Sequence, residues 1–153
     1  MDLEHGPHAA SVSRAEADTI NVLATTEDGT RAALGQAAQM AQFLKLPVVI
    51  LVPHIIPHGV PLEGSGDDPT ALGEAYRRLA SQAGIEAKVR TCRCRDVRHI
   101  PGRLLLARAR VVIGGHRRRW RSTEEEQVAR ALAGEGHRVT FVDVETGQSR
   151  EEP

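Results

Sequence analysis

Val48-Val49-Ile50-Leu51-Val52 is an unbroken aliphatic run entered through Pro47. Branched aliphatic side chains suit a pleated surface, and a run with no polar alternate suits a strand covered on both faces. Proline has no N–H for an interior ladder, so Pro47 belongs at the first place of that strand. A strand buried on both sides implies a parallel sheet with helices above and below it.

The flanking sequence fits that sheet. Upstream, Leu34, Ala37, Ala38, Ala41 and Leu44 recur at helical spacing. Before them stand a turn, Thr26-Glu27-Asp28-Gly29, and a short apolar strand over Thr19–Thr25. Downstream, Pro57, Gly59, Pro61, Gly64 and Gly66 mark a long loop from Pro53 to Asp68. Asp68-Pro69 then opens a helix whose stripe is Leu72, Ala75, Tyr76, Leu79 and Ala83, closed by Gly84. Ile85–Arg93 alternates apolar and charged residues, which predicts an edge strand. Asp96 is positioned to cap a helix through Ala107, bent at Pro101-Gly102. Val111-Val112-Ile113 is a second wholly apolar strand, ending in Gly114-Gly115. Ser122 with Glu125 has capping-box spacing, and Val128, Ala131 and Leu132 supply the buried stripe of the helix that follows. Arg138–Val144 closes the series as a fifth strand. The expected architecture is therefore an α/β domain at 19–145, five parallel strands alternating with four helices in a doubly wound sheet, between a mobile leader (1–18) and a polar tail (146–153).

Composition excludes several classes. Hydrophobic residues at 41% and charged residues at 26% are those of a globular chain, not a disordered one. Aromatics are only 3%, so stacking platforms for single-stranded nucleic acid are scarce. No apolar run reaches the roughly 20 residues of a membrane span, and the cytoplasm is the expected compartment. Cys92 and Cys94 are too few and too close for a disulfide framework or a zinc site. His54 and His58 are separated by Pro57 and cannot form a helical metal pair. The net charge is zero, yet thirteen arginines and Lys88 lie between Arg77 and Arg121 against only Glu86 and Asp96. A basic middle can attract anions, or can be a solvated face.

In a doubly wound sheet the ligand crevice lies beyond the carboxyl ends of the strands, where strand order reverses. The glycines after the fourth strand permit close backbone approach, and the helix start near Ser122 and Thr123 favours an anion. Arg117, Arg118, Arg119 and Arg121 offer planar donors for phosphate or carboxylate, or surface ion pairs with Glu124, Glu125 and Glu126. His116 is in the right loop for a phosphate contact or a general base, although a solvent-exposed loop histidine is the plainer reading. Trp120, the only tryptophan, either anchors the loop by packing or sits over a base or a partner surface. No nucleophile–base pair, Gly-x-Ser-x-Gly elbow or complete phosphate-binding lysine loop is legible. The chain reads as a binding module more than an enzyme.

Asn21–Thr25, the helix around Arg31-Ala32-Ala33-Leu34, Val48–Pro53 and Val111–Arg117 together resemble the universal stress protein family over Thr19–Val144. The resemblance implies strand order 3-2-1-4-5, an adenine nucleotide alpha hydrolase-like fold, a role in stress response and a homodimer through the fifth strand, here by Val139, Phe141 and Val142. It also implies ATP or AMP as the possible cofactor, held by an aspartate closing strand one and a glycine motif after strand four. Here Thr25 stands at the aspartate position. Gly114 matches the first glycine, Arg117 stands at the second, and Arg121 precedes Ser122 where a further glycine belongs. The expected ligand-facing set is thus Thr25, Thr26, Glu27, Val52, Gly114, Gly115, His116, Arg117, Arg118, Arg119, Arg121, Ser122 and Thr123. The implied function is a non-catalytic, homodimeric binding or regulatory module with an arginine-rich, anion-facing loop. A phosphometabolite receptor with slow hydrolysis is the alternative, and a nucleic-acid module a weaker one.

Overall fold

The computed structural model describes residues 18–61, 71–98, 105 and 107–153. The first strand, β1 (Ile20–Leu23), is buried at every position. Thr26 then takes an extended backbone and its hydroxyl accepts the Gly29 N–H at 3.0 Å, capping α1 (Glu27–Leu44). Lys45 ends that helix in a left-handed conformation. The decisive apolar run becomes β2 (Val48–Ile55), followed by α2 (Ala71–Gln82) and β3 (Ala87–Cys94). The chain continues as β4 (Arg110–Gly115), α3 (Glu124–Gly134), β5 (Arg138–Asp143) and β6 (Ser149–Glu151).

The sheet order is β3-β2-β1-β4-β5-β6, with β3 at the edge expected for its polar face. The first five strands run parallel and β6 pairs antiparallel to β5. β2 runs three residues beyond its apolar stretch because β3 accompanies it to Ile55↔Cys94. Pro53 is tolerated there since β1 has already ended opposite Leu51, leaving no ladder on that side to interrupt.

Alternation along the strands divides the core in two. Leu23, Leu51, Val111, Ile113 and Phe141 face α3 through Val128, Ala129 and Leu132. Ile20, Val22, Ile50, Val52 and Val112 face α1 through Ala33, Leu34 and Ala37, with Ala80 of α2. The sheet is therefore covered on both sides, as the decisive run requires. Tyr76 of α2 packs toward α1, where burial first and the Glu27 carboxylate second push its phenol above the ordinary value.

Three expectations need correction. The polar tail contains β6, formed because Asp143 and Gly147 close a turn: the Gly147 N–H donates to the Asp143 carbonyl at 2.7 Å and Gly147 has φ +72°. Consequently β5 is not an edge. Phe141 and Val142 are paired with Arg150 and Ser149, and Val139, Phe141 and Val142 are buried core residues rather than an open self-pairing surface. The helix cap also shifts by one residue, to a capping box of Thr123 with Glu126. Thr123 wins over Ser122 because its hydroxyl also donates to the His116 carbonyl at 2.9 Å, while the Ser122 hydroxyl accepts from Arg130 at 2.6 Å. The expected helix at 96–107 lies mostly outside the described residues. At its start Asp96 accepts the Arg98 N–H at 2.9 Å in a turn.

Candidate functional site

Order reverses between β1 and β4, and the crevice at their carboxyl ends is where the sheet opens. It holds a cavity of about 240 Å³. Leu23, Ala24, Pro53, Val97 and Val128 make it largely apolar, Thr25 and Thr26 form one polar edge, and Glu124 and Glu125 form the other. A second cavity of about 430 Å³ adjoins it, sharing Val97 and Glu124 and reaching Arg95, Asp96, Arg98 and Gln127.

The crevice wall is built from backbone-to-backbone contact. Gly29 in the first turn of α1 lies against the Gly114 carbonyl, and a methyl on either glycine would collide with the backbone of the other. The Thr25 hydroxyl donates to that same Gly114 carbonyl at 2.8 Å, and the Thr25 N–H donates to the Thr30 hydroxyl at 3.0 Å. Thr25 thus ties β1 to β4 and to α1. Gly115 makes room for α3: a Cβ there would stand 2.6 Å from Glu125 Cβ and 2.7 Å from its Cγ. All three glycines serve packing between elements.

Of the expected ligand-facing residues, Thr25 and Thr26 line the inner cavity. Glu27 lies on the outer face of α1 in an ion pair with Arg31 at 2.9 Å. Val52 is buried in the core on the α1 side. His116 is exposed, its Nδ1 3.7 Å from Glu145. Arg117 crosses the end of β5, its guanidinium 4.9 Å from the Phe141 ring centre and 3.9 Å from the Glu152 carboxylate. Glu152 is itself only 4% exposed at its side chain and also meets Arg150 at 3.5 Å. Ser122 and Thr123 close the loop as described above. Arg118, Arg119 and Arg121 are exposed and line neither cavity. Trp120 does not anchor the loop: it is 92% exposed. Arg117, resting on Phe141, holds the loop instead.

The residues that sequence reasoning missed are Glu124 and Glu125. Their signal was present, since they open a helix beside the switch point, but acidic residues in a first turn read equally well as complements to the helix dipole. With Glu126 satisfying the Thr123 N–H at 3.1 Å, the start of α3 already carries its own negative charge. The outer cavity carries the cation. Its Arg98 is held above its ordinary pKa by the hydrogen bond to Asp96 and then by that carboxylate's charge, with Glu124 acting in the same direction. Arg95 is structural, its guanidinium donating to the carbonyls of Ile56, Pro57 and Val60. Among the described residues, no cluster of three or more His, Cys, Asp or Glu could hold a metal ion, and no helix is long and apolar enough to cross a membrane.

No family model matches the chain, and no curated protein matches it. Among solved structures, that of a universal stress protein in complex with cAMP matches over 83% of this chain and 98% of that chain, with a TM-score of 0.53 and 18% sequence identity. The likeness establishes the fold.

Proposed function

We propose that this chain is a non-catalytic ligand-binding module whose switch-point crevice takes a nucleoside or nucleoside monophosphate in preference to a nucleoside triphosphate. The observation that carries this reading is the lining of the crevice. An apolar slot with two threonines on one side and two carboxylates on the other suits a flat base and hydroxyl or amino donors. Glu124 and Glu125 oppose a chain of phosphates in the inner cavity, while in the adjoining space Arg98, already paired with Asp96 at 2.6 Å, leaves room for a single phosphate at most. A protein of the same fold solved in complex with cAMP supports a small nucleotide as the class of ligand, by analogy of fold. Support for a binding role over a catalytic one comes from the hydroxyls of Thr25, Thr26, Ser122 and Thr123, each engaged in holding the frame.

Calorimetric titration with adenosine, AMP, cAMP and ATP tests the reading. Adenosine, AMP or cAMP should bind, with ATP weaker by roughly tenfold or more, a difference of about 1.4 kcal/mol. Glu125→Gln should narrow that gap. Tightest binding by ATP, or no heat with any of the four, rejects it.

A homodimer belongs to this reading only through β6, the outermost strand, whose Ser149–Glu151 segment is exposed. Sedimentation equilibrium reads this directly. A monomer at working concentration removes the dimer and leaves the crevice unaffected.

A further inference from the structure

The loop between β4 and α3 is fastened at its base and bare at its tip. Thr123 hydrogen-bonds back to the His116 carbonyl at 2.9 Å, closing the two ends on each other. Arg117 is held on Phe141 and Glu152, and Ser122 on Arg130. Between these anchors the chain presents Arg118, Arg119, Trp120 and Arg121 in succession, all exposed. At this end Arg117 pairs with Glu152 and Arg130 with Glu126, and His116 Nδ1 lies 3.7 Å from Glu145. Arg118, Arg119 and Arg121 have no ion pair among the described residues, despite the three glutamates that open α3. A tryptophan 92% exposed within such a frame leaves a large amphipathic ring in water.

We propose that the Arg118–Arg121 tip is a docking site for a short acidic segment of a partner protein, with Trp120 packing on an apolar residue of that segment and the arginines pairing with its carboxylates. Tryptophan and arginine are the residues that dominate small interface patches, and a loop fixed at its base loses little freedom when its tip is covered.

Charge complementarity and the surroundings of the tip select this occupant. A single strand of nucleic acid needs successive aromatic platforms along a basic track. Trp120 is the only ring at the tip: Phe141 is buried, Tyr76 lies between α1 and α2, and Phe43 is at the far end of α1. Carboxylates also bound the tip, with Glu145 beside His116 on one side and Glu124 on the other. A polyphosphate running past, or an anionic bilayer lying flat against this end, would meet both. A segment a few residues long contacts the tip alone.

Trp120 is the only tryptophan, so its emission reports the site directly. The full chain is titrated with a fluorescein-labelled peptide of glutamates around a central leucine, with an all-glutamate peptide, with oligothymidylate and with phosphatidylserine vesicles. The leucine-containing peptide should shift Trp120 emission to the blue and bind more tightly than the other three, weakening as salt is added. By peptide anisotropy, Trp120→Ala should reduce affinity roughly tenfold. The triple change of Arg118, Arg119 and Arg121 to Glu should abolish binding while far-UV circular dichroism is unchanged. An unmoved emission spectrum, equal binding of the all-glutamate peptide, tighter binding of oligothymidylate or vesicles, or indifference to either variant overturns the proposal.

Discussion

Gly114→Ala should cost about 3 kcal/mol, at the upper end of overpacking penalties, because among the described glycines its added carbon would come nearest to backbone. The added carbon would overlap the carbonyl oxygen of Gly29 and lie 2.8 Å from its carbonyl carbon and 3.2 Å from the Ala33 nitrogen. All three are backbone atoms, so no rotamer change relieves the clash. Relief requires the first turn of α1 to move off the sheet, which would also disturb the Thr25 hydroxyl bond to the Gly114 carbonyl and with it the inner wall of the crevice. Gly29→Ala should behave alike, because its Cβ would meet the Gly114 carbonyl and the Thr25 hydroxyl. Neither glycine has positive φ, so the demand is for space. Gly35→Ala provides the control: it faces open space inside the same helix, where alanine should stabilise by roughly 0.5–1 kcal/mol. Urea unfolding followed by circular dichroism measures all three. A Gly114→Ala protein within about 0.5 kcal/mol of the parent, the range of an ordinary surface substitution, would mean that α1 and β4 are not in backbone contact.

Phe141→Ala should cost about 3–5 kcal/mol, the range for truncating a fully buried aromatic side chain. Phe141 is wholly buried among Leu132, Val111, Ile113 and their neighbours, and its ring also carries the Arg117 guanidinium. Its loss therefore has two effects. A cavity opens under α3, and Arg117 retains the Glu152 contact at 3.9 Å without the ring beneath it. Phe141→Leu separates them, restoring much of the volume while still removing the cation–π contact, which is worth only about 0.5–1 kcal/mol where partly exposed. Chemical denaturation of both variants should rank alanine well below leucine. Equal and small losses would show that β5 does not form the floor of this half of the core.

Much of the fold is legible along the chain because it depends on local rules. Val48–Val52 and Val111–Ile113 have no polar residue to turn toward water, so both faces of those strands must be covered. Leu34, Ala37 and Ala41 repeat at a spacing only a helix brings to one side. The start of α3 is legible to within one residue, since Ser122 with Glu125 and Thr123 with Glu126 share the same capping spacing and only the reach to His116 distinguishes them. β6 is different. Ser149-Arg150-Glu151 has no apolar alternation, and it is a strand only because the Gly147 turn returns the chain to the side of β5 that β4 leaves unpaired.

The arginine loop shows the same division more sharply. Its composition alone shows that a strongly basic tip follows Gly114-Gly115. Where those charges point depends on residues distant in sequence: Phe141 and Glu152 draw Arg117 away from the crevice, while Arg118, Arg119 and Arg121 remain in solvent. The crevice is lined instead by Glu124 and Glu125, carried there by the direction in which α3 leaves the loop. Periodicity and residue chemistry act over a few neighbours and so determine strands, helices and the parallel sheet. The charge of the crevice arises from long-range packing, chiefly Gly29 against Gly114 and Gly115 against Glu125, and exists only once the layers have closed on one another.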